Sequence, residues 1–483
     1  MKKRTLKTNA ALNGLKQCFA ILFPLITFPY VSRVLGEDGF GQYSFSWSIV
    51  SYFVLLAGLG ITTYATREGA RIRNNKEYIS KFCSEVFTIN LITTICALFL
   101  LIVSSIAIVK LRGYFHLILI QSTALLLNLV GRDWINSIYE DYLYITIRYL
   151  IIQIIALASL FVFIKSPADV WKYCLISVFA SFGGNIPNIV YIRKYVRTRI
   201  TTHPNFRKHI RPLFVLFAMH VAITIYVNAD ITMLGFFADD RIVGIYSLAS
   251  KVYSMLKTIV NAMIVVTLPR MAFILENDPG QYKETLKQVS SYLAIILFPM
   301  ATGVFMLSKE VILIVGGSSY QIGANALRIL SFAMVFAIWG SFCMNGILIA
   351  NKRERECLKA TFASAIVNVL LNFIALPLWG MIGAAITTLI AESINLVLLL
   401  KGARQIVNLK NLDKRSLTQC LMASFTIVFV CCCVKHVFRH IILIVGISFA
   451  LSVFSYFMAL IMMKNTYIYE ALRVIKEKLA FRR

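Results

Sequence analysis

Apolar residues fall in runs of about 20 along this chain, the length a helix needs to cross roughly 30 Å of hydrocarbon. Fourteen such runs predict membrane spans, near 12–34, 43–65, 84–108, 114–131, 143–164, 170–192, 212–236, 242–268, 286–307, 322–350, 358–377, 380–400, 416–434 and 440–463. The pattern therefore predicts an all-α polytopic membrane protein with about 14 transmembrane helices. Pro24 and Pro29 predict a bend in the first of them.

Composition agrees. Of 483 residues, 59% are hydrophobic and 15% charged, with a mean hydropathy of +0.75. A water-soluble chain carries about 25% charge. One of this length would divide into several domains with polar surfaces, and the charge for those surfaces is missing.

The balance of 49 Lys+Arg against 22 Asp+Glu, a net +27, would suit phosphate neutralisation along a nucleic acid. Its distribution says otherwise. About 36 basic residues fall on the side holding both termini and about 9 on the other, as the positive-inside bias of membrane loops requires. Another four, Lys16, Lys251, Lys257 and Arg328, are placed inside spans. Both termini are thus expected in the cytoplasm, and no nucleic acid is needed to explain the charge. Every external connection is short, while the cytoplasmic loops 193–211 and 401–415 are longer and basic.

The N-terminus mimics a signal peptide but lacks a small-x-small cleavage site, so it is expected to stay as the first span. The ten cysteines sit mostly in spans without metal-ligand spacing and are expected to be packing residues. In the tail 464–483, Ile468, Leu472, Ile475 and Leu479 recur at helical spacing among basic residues. That predicts a cytoplasmic amphipathic helix, either on an anionic membrane surface or solvated.

Set against itself at an offset of 203, the chain matches locally: Phe40-Gly41-Gln42-Tyr43-Ser44 aligns with Val243-Gly244-Ile245-Tyr246-Ser247. Six spans separate the copies, an even number, so the two halves share one orientation and are related by an axis along the membrane normal. The predicted organisation is an N-terminal lobe (1–192, spans 1–6), the basic loop 193–211, a C-terminal lobe (212–400, spans 7–12) and two appended spans (401–463) before the tail.

The run Arg33-Val34-Leu35-Gly36-Glu37-Asp38-Gly39-Phe40-Gly41-Gln42-Tyr43-Ser44 resembles the "R-x-LG…(F/Y)G-x-Y" motif of the Wzx-type polysaccharide-export flippases, a branch of the multidrug/oligosaccharidyl-lipid/polysaccharide exporter superfamily. Asp230, Met233-Leu234-Gly235 and the stretch Val243 to Lys251 are similar to that family's seventh-to-eighth helix pattern. The resemblance implies a flippase that moves a polyprenyl-diphosphate-linked oligosaccharide repeat unit from the inner to the outer leaflet of a bacterial cytoplasmic membrane. The product would be surface polysaccharide such as O-antigen or capsule, and the implied partners are the lipid-linked glycan, the bilayer and other membrane proteins of that biosynthesis. The motifs name the branch and not the sugar.

An ionisable group at the bilayer centre costs about 2.5–3.5 kcal/mol on insertion scales, so each asks for a reason. Ser247, Ser250, Ser254, Lys257 and Asn261 form one polar stripe on span 8, from which Lys251 points away. Asn13 and Gln17 in span 1, His220/Thr224/Asn228 in span 7, Thr361/Ser364/Asn368/Asn372 in span 11 and Thr388/Glu392/Asn395 in span 12 make further stripes. Together they suggest a hydrated cavity between the lobes, where lysines meet phosphate and amides meet sugar hydroxyls.

The candidate path residues are therefore Lys251, Lys257, Ser254, Asn261, Asp230, Lys16, Asn13, Gln17, Arg33 and Arg328. For Lys251 the alternative is a neutral pair with Asp230. Lys16 and Arg328 lie near span ends, where they can also snorkel to the interface, and Arg33 can equally anchor its helix. Arg132 and Asp133 are expected to pair at a helix end.

No cofactor is expected. Coupling to protons or sodium is left open, with Asp230 and Glu392 as the candidate groups. Ser254-Met255-Leu256-Lys257 matches S-x-x-K but lies inside a span without the companion motifs, and no catalytic or metal constellation is present, so a transporter and not an enzyme is expected. A multidrug cation exporter would favour acidic cavity residues over lysines. A peptidoglycan-precursor flippase is closer in mechanism. A membrane polysaccharide polymerase would need a large external loop or a carboxylate-rich face, and neither is seen.

Overall fold

The computed structural model of the chain describes residues 6–202, 204–407, 413–470 and 473. Among them there is no β-strand; the protein is helical throughout. Helix α1 (Leu6–Gly58) holds two predicted spans in one element. A straight helix of its 53 residues would be about 80 Å long, far beyond the roughly 30 Å hydrocarbon core. The break falls at Gly36 (φ 69°, ψ 178°), a left-handed backbone that glycine adopts without a Cβ clash. Pro24 and Pro29 lie inside the helical stretch before it.

The chain continues through α2 (Ile61–Ile72), α3 (Lys76–Ala107), the short α4 (Val109–Arg112), α5 (Phe115–Gly131), α6 (Asp133–Ile138), α7 (Tyr142–Phe163), α8 (Val170–Phe182) and α9 (Asn185–Tyr191). After the basic loop come α10 (Phe206–Phe237), α11 (Asp240–Asn277), α12 (Pro279–Gly316) and α13 (Gly323–Phe342). Helix α14 (Glu354–Arg404) is again double, divided at Gly380 (φ 53°, ψ −129°). Helices α15 (Lys414–Val437) and α16 (Ile441–Met462) follow.

Eleven helical segments among the described residues are long and apolar enough to cross a bilayer. Two of them, Phe23–Ile72 and Glu354–Arg404, run to 50 and 51 residues and each carries two of the predicted spans. Large apolar side chains such as Phe99, Phe425, Phe429 and Phe454 point outward. Such a surface is unfavourable in water and suits lipid. This is a multi-pass membrane protein. Of the tail helix expected over 464–483, residues 471, 472 and 474–483 lie outside the described residues.

Contacts divide the chain into two compact units, Met1–Gly244 and Ile245–Arg483. In the first, α10 packs against α1 although it follows the basic loop in sequence. One core cluster joins Tyr64, Phe82, Val86, Trp134, Ile138 and Leu213, from α2, α3, α6 and α10. The repeat has a physical counterpart here. A Cβ on Gly41 would collide with the Asp240 carbonyl, and a Cβ on Gly244 with the Glu37 carbonyl. The offset of 203 carries residue 37 to 240 and 41 to 244, so the two backbones approach reciprocally at equivalent positions. Glu37 Oε1 also meets Arg241 Nε at 3.3 Å, and the Tyr114 hydroxyl donates to Asp240 Oδ1 at 2.5 Å.

In the second unit, α13 packs on α12 and α14, and α15 and α16 pack on each other and on α12. Ala294, Cys420, Ile427, Cys431, Tyr456 and Leu460 form its core. Lys435 on α15 donates to Glu310 Oε2 on α12 at 2.9 Å. A π-helical segment, Cys343–Ile349, follows α13. The Tyr282 hydroxyl donates to Gly346 O within it at 2.7 Å.

Candidate functional site

The second unit brings three of the polar residues of spans 8 and 12 to one point. Helix α11 sets Tyr253 and Lys257 one turn apart, on the same face. Lys257 Nζ donates to Glu392 Oε1, on the second half of α14, at 3.1 Å. The Tyr253 hydroxyl donates to the same oxygen at 3.0 Å, and Lys257 Nζ lies 3.4 Å from that hydroxyl. The ammonium also sits 5.2 Å from the Tyr253 ring centroid, within cation–π range.

Glu392 is 3% exposed and Lys257 28%. The carboxylate is thus the buried partner, and the lysine is the end of the pair that reaches outward. An ammonium has three donors, of which Glu392 and Tyr253 occupy two, so one N–H remains for a ligand. Asn261, one turn beyond Lys257, and Asn395, three residues beyond Glu392, each bury a side-chain oxygen with no hydrogen-bond partner among the described residues. Buried polar atoms are rarely left so, and the pair is therefore flanked by acceptors awaiting a donor.

The other expected residues fall as follows. Ser254 is half-buried, three residues before Lys257. Lys251 is exposed on α11, and no hydrogen bond or ion pair to it occurs among the described residues of its own unit. Asp230 is buried on α10, in the first unit. Arg33 is exposed just before the Gly36 break. Arg328 is held to the scaffold, donating from Nε to Ser308 Oγ at 2.9 Å and from Nη1 to Asn325 Oδ1 at 3.3 Å. The side chains of Asn13, Lys16 and Gln17 lie outside the described residues.

The stripe on span 11 is helix glue. Ser364, Asn368 and Asn372 are buried, the Thr387 hydroxyl donates to Asn372 Oδ1 across the Gly380 break at 2.5 Å, and Asn372 Nδ2 donates to Asn368 Oδ1 at 3.3 Å.

Sequence reasoning missed three polar centres of the first unit. Asp133 does not pair with Arg132, whose left-handed backbone (φ 47°) turns its side chain toward Thr198 and the Phe87 ring. Asp133 instead accepts from Arg148 Nη2 on α7, at 2.7 Å to each oxygen, and from Asn188 Nδ2 at 3.1 Å. A second centre is His209, fully buried between the Tyr64 hydroxyl (2.7 Å at Nδ1) and Glu85 Oε2 (2.8 Å at Nε2).

The third is Asp141, between α6 and α7, which accepts from the hydroxyls of Tyr191 (2.6 Å) and Tyr195 (2.7 Å) and from Lys194 Nζ (3.3 Å). Burial alone would raise its pKa, but those hydrogen bonds and the lysine charge outweigh it and hold the carboxyl below its ordinary value. Only pairings between helices reveal these centres, and no single stretch of sequence carries the signal.

With the geometry in place, the chain can be set beside known proteins. The sequence profile of the family described as "Polysaccharide biosynthesis protein" matches residues 6–275. A relative from Escherichia coli (strain K12), named "Putative O-antigen transporter", is 22% identical over 411 residues, covering 83% of this chain and 97% of that one. Among solved structures, one described as "Lipid II flippase MurJ, inward closed conformation" superposes with a TM-score of 0.71 at 15% identity, covering 96% of this chain and 99% of that one. Another, an outward-facing multidrug resistance MATE family transporter of the MOP superfamily, gives a TM-score of 0.52 at 15% identity, covering 81% and 92%. At such identities the two structures share the fold with this chain.

Proposed function

The chain belongs to the polysaccharide biosynthesis protein family, and from that premise we propose that it is a flippase. Its cargo is a polyprenyl-diphosphate-linked oligosaccharide, carried from the inner to the outer leaflet of a bacterial cytoplasmic membrane for surface polysaccharide such as O-antigen or capsule. Both termini lie in the cytoplasm, as the basic bias of the loops requires. The name of the Escherichia coli relative, over nearly its whole length, supports the class of cargo.

The observation that carries the reading is the outward-facing ammonium of Lys257 on its buried Glu392 anchor, with the amides of Asn261 and Asn395 beside it. A diphosphate cannot cross hydrocarbon bare. A fixed point charge replaces part of its hydration, the amides bond sugar hydroxyls, and the polyprenyl chain stays in lipid. Lys251, exposed and without a partner among the described residues of its unit, supplies a second cation on the path. The cycle is alternating access, a movement of bound cargo in which no covalent bond changes. Glu392 is the group through which a proton would couple to it, because neutralising that carboxylate releases Lys257 to the phosphate.

A strain lacking the gene tests this. Accumulated polyprenyl-linked oligosaccharide together with lost surface polymer, both restored by the wild-type chain and not by Lys257→Ala at equal membrane abundance, is the expected result. Unchanged lipid intermediates with altered sensitivity to cationic drugs would replace the reading with a multidrug exporter.

A further inference from the structure

Within the first unit, two left-handed helix breaks and a glycine turn border one cavity. Helix α1 gives way to α2 at Leu59 and Gly60 (φ 41° and 71°) and α5 to α6 at Arg132, while α8 passes to α9 through Gly183–Gly184 in right-handed backbone. Leu59 and Arg132 hold left-handed backbone without being glycine, and such strain gathers at ligand sites. Broken backbone at membrane depth persists where it is buried in protein or lines a water-filled cavity.

The cavity measures about 160 Å³, room for on the order of ten water-sized groups and so for a single pyranose ring. Its buried lining includes Asn90, Asn185 and Trp134. Its rim carries the exposed hydroxyls of Thr62 and Ser181. Asn90 Nδ2 donates to Ala57 O at 2.8 Å and Asn185 Nδ2 to Leu127 O at 3.0 Å, which fixes both amides. Their side-chain oxygens accept nothing from the described residues, and the Asn128 amide on the wall makes no hydrogen bond at all among them.

Arg132 and Asp133 also line the wall; Asp133 is already paired with Arg148, so the ligand class is decided by the acceptors left around the cavity, the Asp133 and amide oxygens, which ask for a donor. A phosphate entering would meet the Asp133 carboxylate. A sugar hydroxyl both donates and accepts, so it suits a guanidinium, a carboxylate and three carboxamides together.

We propose that this cavity is a subsite for one uncharged sugar ring of the transported glycan. The proposal rests on the flippase reading, and it places glycan recognition in the first unit, on residues other than the Lys257 site.

The test uses the full-length protein purified in detergent, titrated calorimetrically with methyl glycosides of glucose, galactose and N-acetylglucosamine. The oligosaccharide released by mild acid from lipid intermediates of the deletion strain is a further probe, and inorganic phosphate is the anionic control. Asn128→Leu removes an amide at nearly constant volume, and Thr62→Trp fills the cavity from its rim. Saturable binding of at least one sugar probe is expected, weakened about tenfold or more by each variant, with melting temperature unchanged and with no competition from phosphate.

Sugar binding equal in wild type and both variants, displacement of sugar by phosphate, or no sugar binding by a chain that still exports polysaccharide in cells would each overturn the proposal. If the deletion strain accumulates no lipid intermediate, the flippase reading fails. Glycoside binding lost in both variants would even then leave the cavity a sugar site.

Discussion

Two of the protein's ion pairs bury opposite members. In the first unit the cation is the hidden member, with Arg148 7% exposed and Asp133 40%. In the second the carboxylate is hidden, with Glu392 3% exposed and Lys257 28%. Burying a charge costs several kcal/mol unless its partner and hydrogen bonds compensate, so both pairs need their partners. Which member reaches outward then determines what the pair can meet. Asp133 offers a carboxylate already braced by Arg148 and Asn188, suited to the hydroxyls of an uncharged group. Lys257 offers a positive charge with a donor to spare, suited to phosphate.

The sharpest way to break this contrast is to strand the hidden member. Lys257→Met leaves Glu392 buried without a cation, at a cost of about 3 kcal/mol, and export is lost. The double variant Lys257→Met/Glu392→Gln removes both charges and is expected to recover most of the melting temperature in detergent but none of the export. Recovery of both would show that the pair serves only to hold the helices together.

Arg148→Met strands the other carboxylate, with a smaller effect. Asp133 keeps the Asn188 hydrogen bond and enough exposure to rehydrate, so the loss is about 1–2 kcal/mol, again read by thermal melting. A loss equal to that of Lys257→Met would show that exposure does not set the cost, and the contrast between the two pairs would collapse.

How much of this is legible in sequence differs by the same logic. The helices are legible because a bilayer demands long apolar runs, and each of the double elements α1 and α14 is marked by two runs joined at a glycine. Lys257 stands out because an ammonium inside such a run is costly. Glu392 appears as part of a stripe on another span and as a candidate coupling group; that it meets Lys257 across 135 residues is tertiary information. Tyr253 is silent because tyrosine reads as apolar. The Asn368/Asn372 stripe looks the same in periodicity as the Lys257 stripe, yet it faces another helix segment and not a hydrated space. Asp133 is misassigned for a local reason: its neighbour Arg132 is the obvious partner, and only the left-handed backbone at Arg132 hands it to Arg148.

A third pair, outside the spans, gives the mildest test. Asp141 is 11% exposed and Lys194 37%, the same polarity as Glu392 and Lys257, but at helix ends where water screens the charge. The tyrosine hydroxyls and Lys194 hold Asp141 below its ordinary pKa against the opposing effect of burial. A carboxyl depressed in the folded state stabilises the fold at pH above its unfolded value of about 4. That contribution fades as the pH falls through this value and is gone below the depressed one. Melting curves from pH 7 to pH 3 should therefore show Asp141→Asn less stable than wild type by less than about 1 kcal/mol at neutral pH. The gap should narrow toward the acid end, as the pH falls below the unfolded value and the unfolded chain takes up the proton first. A gap that stays constant over the range would assign the tyrosine hydrogen bonds, and not the charge, as what Asp141 contributes; it would also separate this pair from the Lys257 pair, whose proposed work depends on charge.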